Sequence, residues 1–266
     1  MPESWPQVLQ EALKLPSLLV EIYGDLARPG VRQVGKALET VLGFGNTILW
    51  PLAYANERTR LTLDKNLEKY RQKLESTPDE KIVPVAPEVG VPIAEKLSYV
   101  TDEKLSDLYI QLLAKASVSD KVDQAHPSFV NVINNLSPDE ATLLEYFTKS
   151  NDLPFLRAKA VSPSTLTFSL MADLIVTENI ALGLRFPRNI GAYFSNLSGL
   201  GLVTIHHGTW IEGSPIYEEI ETQNREVAEN HLKSVAAWRD KKLEFERSVI
   251  VITSFGRQFI RACHDE

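Results

Sequence analysis

The chemistry open to this 266-residue chain rests on three groups of residues: a glycine and lysine run near the start, five scattered histidines with one cysteine, and acids spaced along helices. The run Gly30-Val31-Arg32-Gln33-Val34-Gly35-Lys36-Ala37 nearly spells G-x-x-x-x-G-K-[ST], in which loop amides and the lysine hold phosphates and a hydroxyl ligates magnesium. Ala37 stands where the hydroxyl belongs, and Glu21 to Ala27 ahead of it reads as helix, whereas the pattern needs a strand there. The run is read as helix surface. His126, His206, His207, His231 and His264 are scattered, and the adjacent pairs His206-His207 and Cys263-His264 lack the spacing that brings two side chains to one zinc or pairs a nucleophile with a base. His126, before Pro127 at a helix start, reads as a structural cap or a packed ring. Acids such as Glu218, Glu221 and Glu229 recur at helical intervals and read as a solvated face. No catalytic residue, metal or cofactor is expected.

The elements that position these side chains belong to a folded chain, with 44% hydrophobic and 24% charged residues. A single cysteine forms no internal disulfide, and Glu3, Glu11 and Glu21 stand where a signal peptide would be basic and then apolar, so the cytoplasm is expected. Net charge is −7, with 15 basic against 18 acidic residues up to Leu136 and 13 against 17 after it. Neither part is a basic domain, which lowers the expectation of strong nucleic-acid binding.

Helical periodicity runs through the first half: an amphipathic stretch from about Pro6 to Tyr23, then Val31, Val34, Leu38, Val41, Leu42, Ile48 and Leu49, then a long charged helix from Leu52 to Leu74. Pro84, Pro87 and Pro92 make residues 82–92 a connector. A helix follows with Thr101 as its N-cap and Leu105, Leu108, Leu112 and Leu113 on its apolar face. Ser137-Pro138-Asp139-Glu140 is a helix start, with a cap, a first-turn proline and acids against the dipole. The domain boundary is placed here, giving a helical domain over 1–136 and a second domain over 137–266.

In the second domain the pattern predicts helices at 138–149, about 164–176 and 187–200, a strand at 202–211, a helical acidic segment at 215–240, a strand at 243–253 and a closing helix at 254–263 with Phe255 and Phe259 inward. Three helices and two strands are the order of a winged helix, with 215–240 as an enlarged wing insertion. The expected fold class is mainly α with a small β-hairpin. In such a module Arg185, Arg188, Ser195 and Asn196 are the candidate contacts, although base reading needs more Arg, Lys, Asn or Gln along the recognition helix.

Between Glu39 and Glu57 lie seventeen uncharged residues, just under a membrane span. Phe44, Leu49, Trp50 and Tyr54 in the 40–54 segment are candidate membrane or partner contacts, because an amphipathic segment with Trp and Tyr at one end suits a bilayer interface as well as a bundle core.

Tyr23-Gly24-Asp25-Leu26-Ala27-Arg28-Pro29, Val34-Gly35-Lys36-Ala37-Leu38, Val83-Pro84, His126-Pro127-Ser128-Phe129 and Leu136-Ser137-Pro138-Asp139-Glu140-Ala141 together resemble the abortive-infection alpha family of bacteria. So do Tyr193, Asn196-Leu197, Leu200-Gly201-Leu202, Thr253-Ser254-Phe255-Gly256-Arg257-Gln258-Phe259 and Cys263. The resemblance implies a role in defence against bacteriophage and supplies no catalytic residues; residues 151–186 match nothing in it. Three readings follow: a non-enzymatic defence protein acting through protein partners or self-association, a membrane-acting effector using 40–54, and a DNA-binding regulator. The last needs a basic patch that the charge count does not promise.

Overall fold

The computed structural model describes residues 29–38, 40–41 and 57–264. The stretch 6–23 and the contact candidates Phe44, Leu49, Trp50 and Tyr54 lie outside the described residues. By internal contacts the chain divides into two units, Met1–Pro138 with Arg261–Glu266, and Asp139–Ile260.

The first unit is built from α1 (Pro29–Ala37), α2 (Glu57–Leu74), α3 (Pro87–Leu97), α4 (Glu103–Ala116) and α5 (Ser128–Asn134). Spacing of four, three and four puts Leu63, Leu67, Tyr70 and Leu74 on one stripe of α2, and all four are buried. Against them pack Val34 and Ala37 of α1, while α4 is buried almost all round from Leu108 to Ala116. Polar ties set the register of the helices. Asn66 donates to the Leu97 carbonyl at 2.7 Å, and Lys69 pairs with Asp107 at 2.8 Å. The buried Tyr70 hydroxyl lies 2.5 Å from Ser117 Oγ, which itself donates to the Leu113 carbonyl, so the tyrosine is the donor. The cap of α4 is Asp102, one residue beyond Thr101, because its carboxylate reaches the amides of Lys104 and Leu105.

Residues 82–92 are stitched in. Val85 donates to the Ala37 carbonyl, Val83 to that of Ser117, and Ile82 bridges Val118. From Pro87 onward the segment is already α3, because a proline at the first helical position gives up a donor that no helix uses there.

The second unit overturns the winged-helix expectation and the mainly α class. It holds a four-stranded antiparallel sheet in the order β2-β1-β4-β3, formed by β1 (Asp152–Val161), β2 (Phe168–Ile175), β3 (Val203–His206) and β4 (Lys242–Ile252). The chain is mixed α and β. The two strands expected at 202–211 and 243–253 do pair, from Val203↔Ile252 to His206↔Val249, but β4 also pairs with β1 over ten residues. The segment expected as a helix at 164–176 is strand β2. Its apolar residues satisfy both periods, Leu166, Leu170 and Leu174 at intervals of four and Phe168, Leu170 and Leu174 at even ones, and pairing with β1 decides for the strand. Pro154, which speaks against a strand in sequence, sits before the β2 ladder begins at Leu156, where β1 has a neighbour on one side.

The helices of this unit are α6 (Pro138–Tyr146), α7 (Glu178–Leu182), α8 (Ile190–Gly199), α9 (Ile216–Ser234) and α10 (Ser254–Cys263), whose last residues count with the first unit. The segment 215–240 is no wing tip. Its helix α9 lies on the sheet, with Tyr217 and Ile220 buried against Leu156 and flanked by Ile175 and Phe245. The Tyr217 hydroxyl donates to the Ser248 carbonyl at 3.1 Å, which ties the helix to β4.

The Thr253-Ser254-Phe255-Gly256 run has a mechanical reason. Thr253 Oγ1 accepts from the Gly256 amide at 2.8 Å, capping α10, and donates to the Gly201 carbonyl at 2.6 Å. A side chain on Gly256 would run into the Leu202 carbonyl oxygen and Ile252, so the helix can lie this close only with glycine there. Gly256→Ala is expected to destabilise the protein by at least about 1–3 kcal/mol, the range for overpacking. Chemical denaturation would measure it, and an unchanged midpoint would contradict the close approach.

Candidate partner-contact edge

Strand β2 is an edge of the sheet, and among the described residues no strand pairs with its outer side. Eleven large apolar side chains of the described residues are exposed, and five of them, Leu166, Phe168, Leu170, Leu182 and Phe186, fall on β2 and its two flanks. Phe168 and Leu170 lie on the edge strand itself, while Leu166, Leu182 and Phe186 flank it in the chain; apolar side chains exposed together mark contact surfaces, whereas single ones are ordinary. At the β1–β2 turn Leu166 is 80% exposed and holds φ at 56°, a left-handed backbone that disfavours leucine.

Charged side chains of the sheet brace the edge. Arg157 donates to Asp173 of β2 at 2.8 Å and to Glu246 of β4 at 2.9 Å, and Lys159 pairs with Glu246 as well. The Lys159 ammonium stands 4.2 Å from the centre of the Phe168 ring, which orients that aromatic at the surface. Burial by itself would raise the Glu246 carboxyl, but the hydrogen bonds from Lys159 and Arg157 outweigh it and hold the group below the ordinary glutamate range. Register shifts between Leu156 and Lys159 break the regular β1–β2 ladder beside this network.

The segment after the helix that follows β2 is held by a buried acid. Asp139 accepts from the backbone amides of Arg185 and Phe186, each at 2.9 Å, and from the Tyr193 hydroxyl at 2.8 Å. Glu140, also buried, accepts from Asn196 Nδ2 at 2.8 Å. The two acids at the start of α6 thus bind the segment after α7 and the inner side of α8. Desolvation pushes the Asp139 carboxyl up, and the three hydrogen bonds with the nearby Arg185 charge overcome it, leaving the group below the ordinary aspartate value of 3.8.

This geometry places the residues singled out in the sequence. Arg185 and Arg188 are exposed around the short turn Pro187–Asn189, beside the exposed Phe186. Ser195 is exposed and donates to the Gly191 carbonyl at 2.9 Å, while Asn196 is taken up by Glu140. A recognition helix reading Asn196 outward falls with the winged helix. Gly30 to Ala37 is helical and carries no phosphate loop; Lys36 donates to the Asp79 carbonyl at 2.9 Å. His126 is exposed; its Nδ1 accepts from the Ser128 amide at 3.1 Å and its ring lies 5.8 Å from that of Phe129, while the helix itself starts from Pro127. His207 packs edge-on to Phe155 and His231 to Trp238. Among the described residues no group of three or more His, Cys, Asp or Glu is placed to hold a metal, and no helix is long and apolar enough to cross a membrane. Sequence reasoning passed over β2 and its flanks, whose one available signal was a run of exposed-type apolar residues between turn residues.

The abortive infection alpha family model matches residues 62–263. The chain belongs to that family. Membership suggests a role in abortive infection defence, and the matched span covers the sheet, the Asp139 cluster and the Gly256 contact. No curated protein matches the chain. Among solved structures, an uncharacterized protein from the hydrocarbon-degrading marine bacterium Alcanivorax borkumensis SK2 is similar at 19% identity, covering 54% of this chain and 94% of that one, with a TM-score of 0.32.

Because the Asp139 carboxyl sits below its unfolded value, the charged form contributes stability that is present above about pH 4 and is lost as the pH falls through the lower folded value. Asp139→Ala, which strands two amides and a hydroxyl, is expected to cost roughly 2–4 kcal/mol at neutral pH. Denaturation of both proteins from pH 7 to pH 2.5 should show the gap narrowing only at the acid end; a gap constant throughout would remove the charge from the explanation.

Proposed function

We propose that this is a non-enzymatic abortive-infection protein that acts through contact with protein partners or copies of itself, using the β2 edge and its flanks. The carrying observation is that Phe168 and Leu170 are exposed on the edge strand itself, with Leu166, Leu182 and Phe186 exposed in the segments that flank it in the chain. An open edge offers backbone donors and acceptors to another chain, and apolar side chains beside it supply area to bury. Two anchors support a firm surface over a loose one: the Arg157, Lys159 and Glu246 network, and the Asp139 grip on the Arg185 and Phe186 amides. Arg185 and Arg188 at one end favour an acidic stretch in the partner.

A second reading takes the 40–54 segment as membrane-acting, and rests on its uncharged sequence with Phe44, Leu49, Trp50 and Tyr54. Thr40 donates to the Val85 carbonyl at 2.6 Å and Val41 is buried, so the first two residues of the run would have to leave the first unit's core. Dye release from liposomes of bacterial lipid would favour this reading over the first.

Phe168→Asp with Leu170→Asp, and separately Leu182→Asp with Phe186→Asp, are expected to leave the melting temperature within a few degrees, since exposed positions contribute little to the core. Both pairs should return phage plaque counts on cells carrying the protein to those of cells without it, and shift the protein to lower mass in sedimentation if the partner is a second copy. Full protection by both stable variants would sink the edge as the working surface.

A further inference from the structure

We propose that a cleft along α2 in the first unit is a binding site for a nucleoside monophosphate whose base carries an exocyclic amine. The cleft has a volume of about 470 Å³, within the range of small-molecule sites. Arg58, Leu61, Thr62 and Asn66 line it from α2, and Val100 and Ser106 line it from the start of α4 and the residues before it. Arg58, Thr62 and Asn66 follow one another at intervals of four, so they form one stripe of the helix, with a rise of about 12 Å from first to last.

Three polar side chains in the cleft have their hydrogens committed elsewhere. Asn66 is buried, and its amide nitrogen donates to the Leu97 and Val100 carbonyls at 2.7 and 3.4 Å. Its Oδ1 accepts from none of the described residues. The buried Ser106 hydroxyl donates to the Glu103 carbonyl and the Thr62 hydroxyl to that of Arg58, each at 2.9 Å. Three oxygens therefore keep lone pairs for a ligand that donates. An acceptor shielded from water and left without a donor is costly, and an N–H from a ligand offsets that cost.

Charge and walls choose the rest of the ligand. Arg58 is exposed and pairs with no acid among the described residues, whereas Lys65 is taken at 3.1 Å by Glu103, the one acid of the lining. One unpaired guanidinium suits one phosphate, which it meets with two parallel hydrogen bonds. The same charge repels an ammonium ligand, so the donor at the acceptor end is a neutral amine. Between the two ends Leu61, 57% exposed, and Val100 offer apolar surface to a flat ring. An aminated base, joined through a sugar to a phosphate, has these parts in this order and matches the length of helix between Asn66 and Arg58. The site is separate from the β2 edge, and the two proposals stand or fall apart.

Calorimetric titration of the full chain with adenosine monophosphate at constant ionic strength is expected to give saturable binding. Inosine monophosphate has the same size and charge but sets a carbonyl oxygen against the acceptors, and should bind at least about tenfold more weakly. Arg58→Gln changes an exposed side chain and should keep the fold; it should weaken adenosine monophosphate about tenfold and leave the weaker binding of adenosine unchanged. Leu61→Glu, also at an exposed position, should abolish binding of both by placing a carboxylate where the base lies. The proposal is overturned if adenosine monophosphate gives no binding, if the inosine compound binds equally well, or if either substitution leaves the affinity of a folded protein for adenosine monophosphate unchanged.

Discussion

Ten residues of β1, Asp152 to Val161, pair antiparallel with ten of β4, Val251 to Lys242, and the second unit is arranged around that pairing. The strands come from opposite ends of the unit, so everything between them must leave and return to close a long loop, at an entropic cost that local contacts do not repay. What offsets the cost is burial on both faces. Leu156 and Ala158 lie under α9, while Leu153, Phe155 and Ile250 are fully buried. β2, joined to β1 by a short turn, adds at the free side of β1, and β3 adds at the free side of β4, which gives the observed order. The exposed edge is a consequence of the central pair.

Two short motifs lock the pieces that the central pair leaves loose. Thr253 and Gly256 bring α10 against the Leu202 carbonyl, a contact that works by having no side chain in the way. Asp139 and Glu140 work in the opposite sense, by filling a polar gap: bare amides at Arg185 and Phe186, the Tyr193 hydroxyl and the Asn196 carboxamide all find an acceptor there. A buried carboxylate is tolerated when several donors surround it, and the same donors hold it ionised. The price of that arrangement is sensitivity, since losing the acid strands every donor at once.

Rigid anchors stand beside exposed apolar side chains at β2 and in the segment after α7. A surface that is already ordered loses less entropy when a partner arrives. Phe168 under the Lys159 ammonium and Phe186 beside the Asp139 contacts are held in this way, and Leu166 keeps a strained backbone at the tip of the turn. The whole chain carries a net charge of −7, and a net charge of one sign opposes the association of copies.

Sequence by itself determined the parts whose signal is local. The stripe of Leu63, Leu67, Tyr70 and Leu74, the helix start at Pro138, the helix from Ser254 to Cys263 and the two strands near 203 and 242 follow from periodicity and capping. The motifs of the family were equally legible. Tertiary structure alone decided what depends on distant partners. Phe168–Ile175 suits helix or strand until β1 lies beside it, and Asp139 and Glu140 read as ordinary helix-start acids until the residues near 185 and 196 close over them. The open side of β2 was hard to read for the same reason, because exposure is a property of what fails to pack against a residue, and spacing along one chain does not record it.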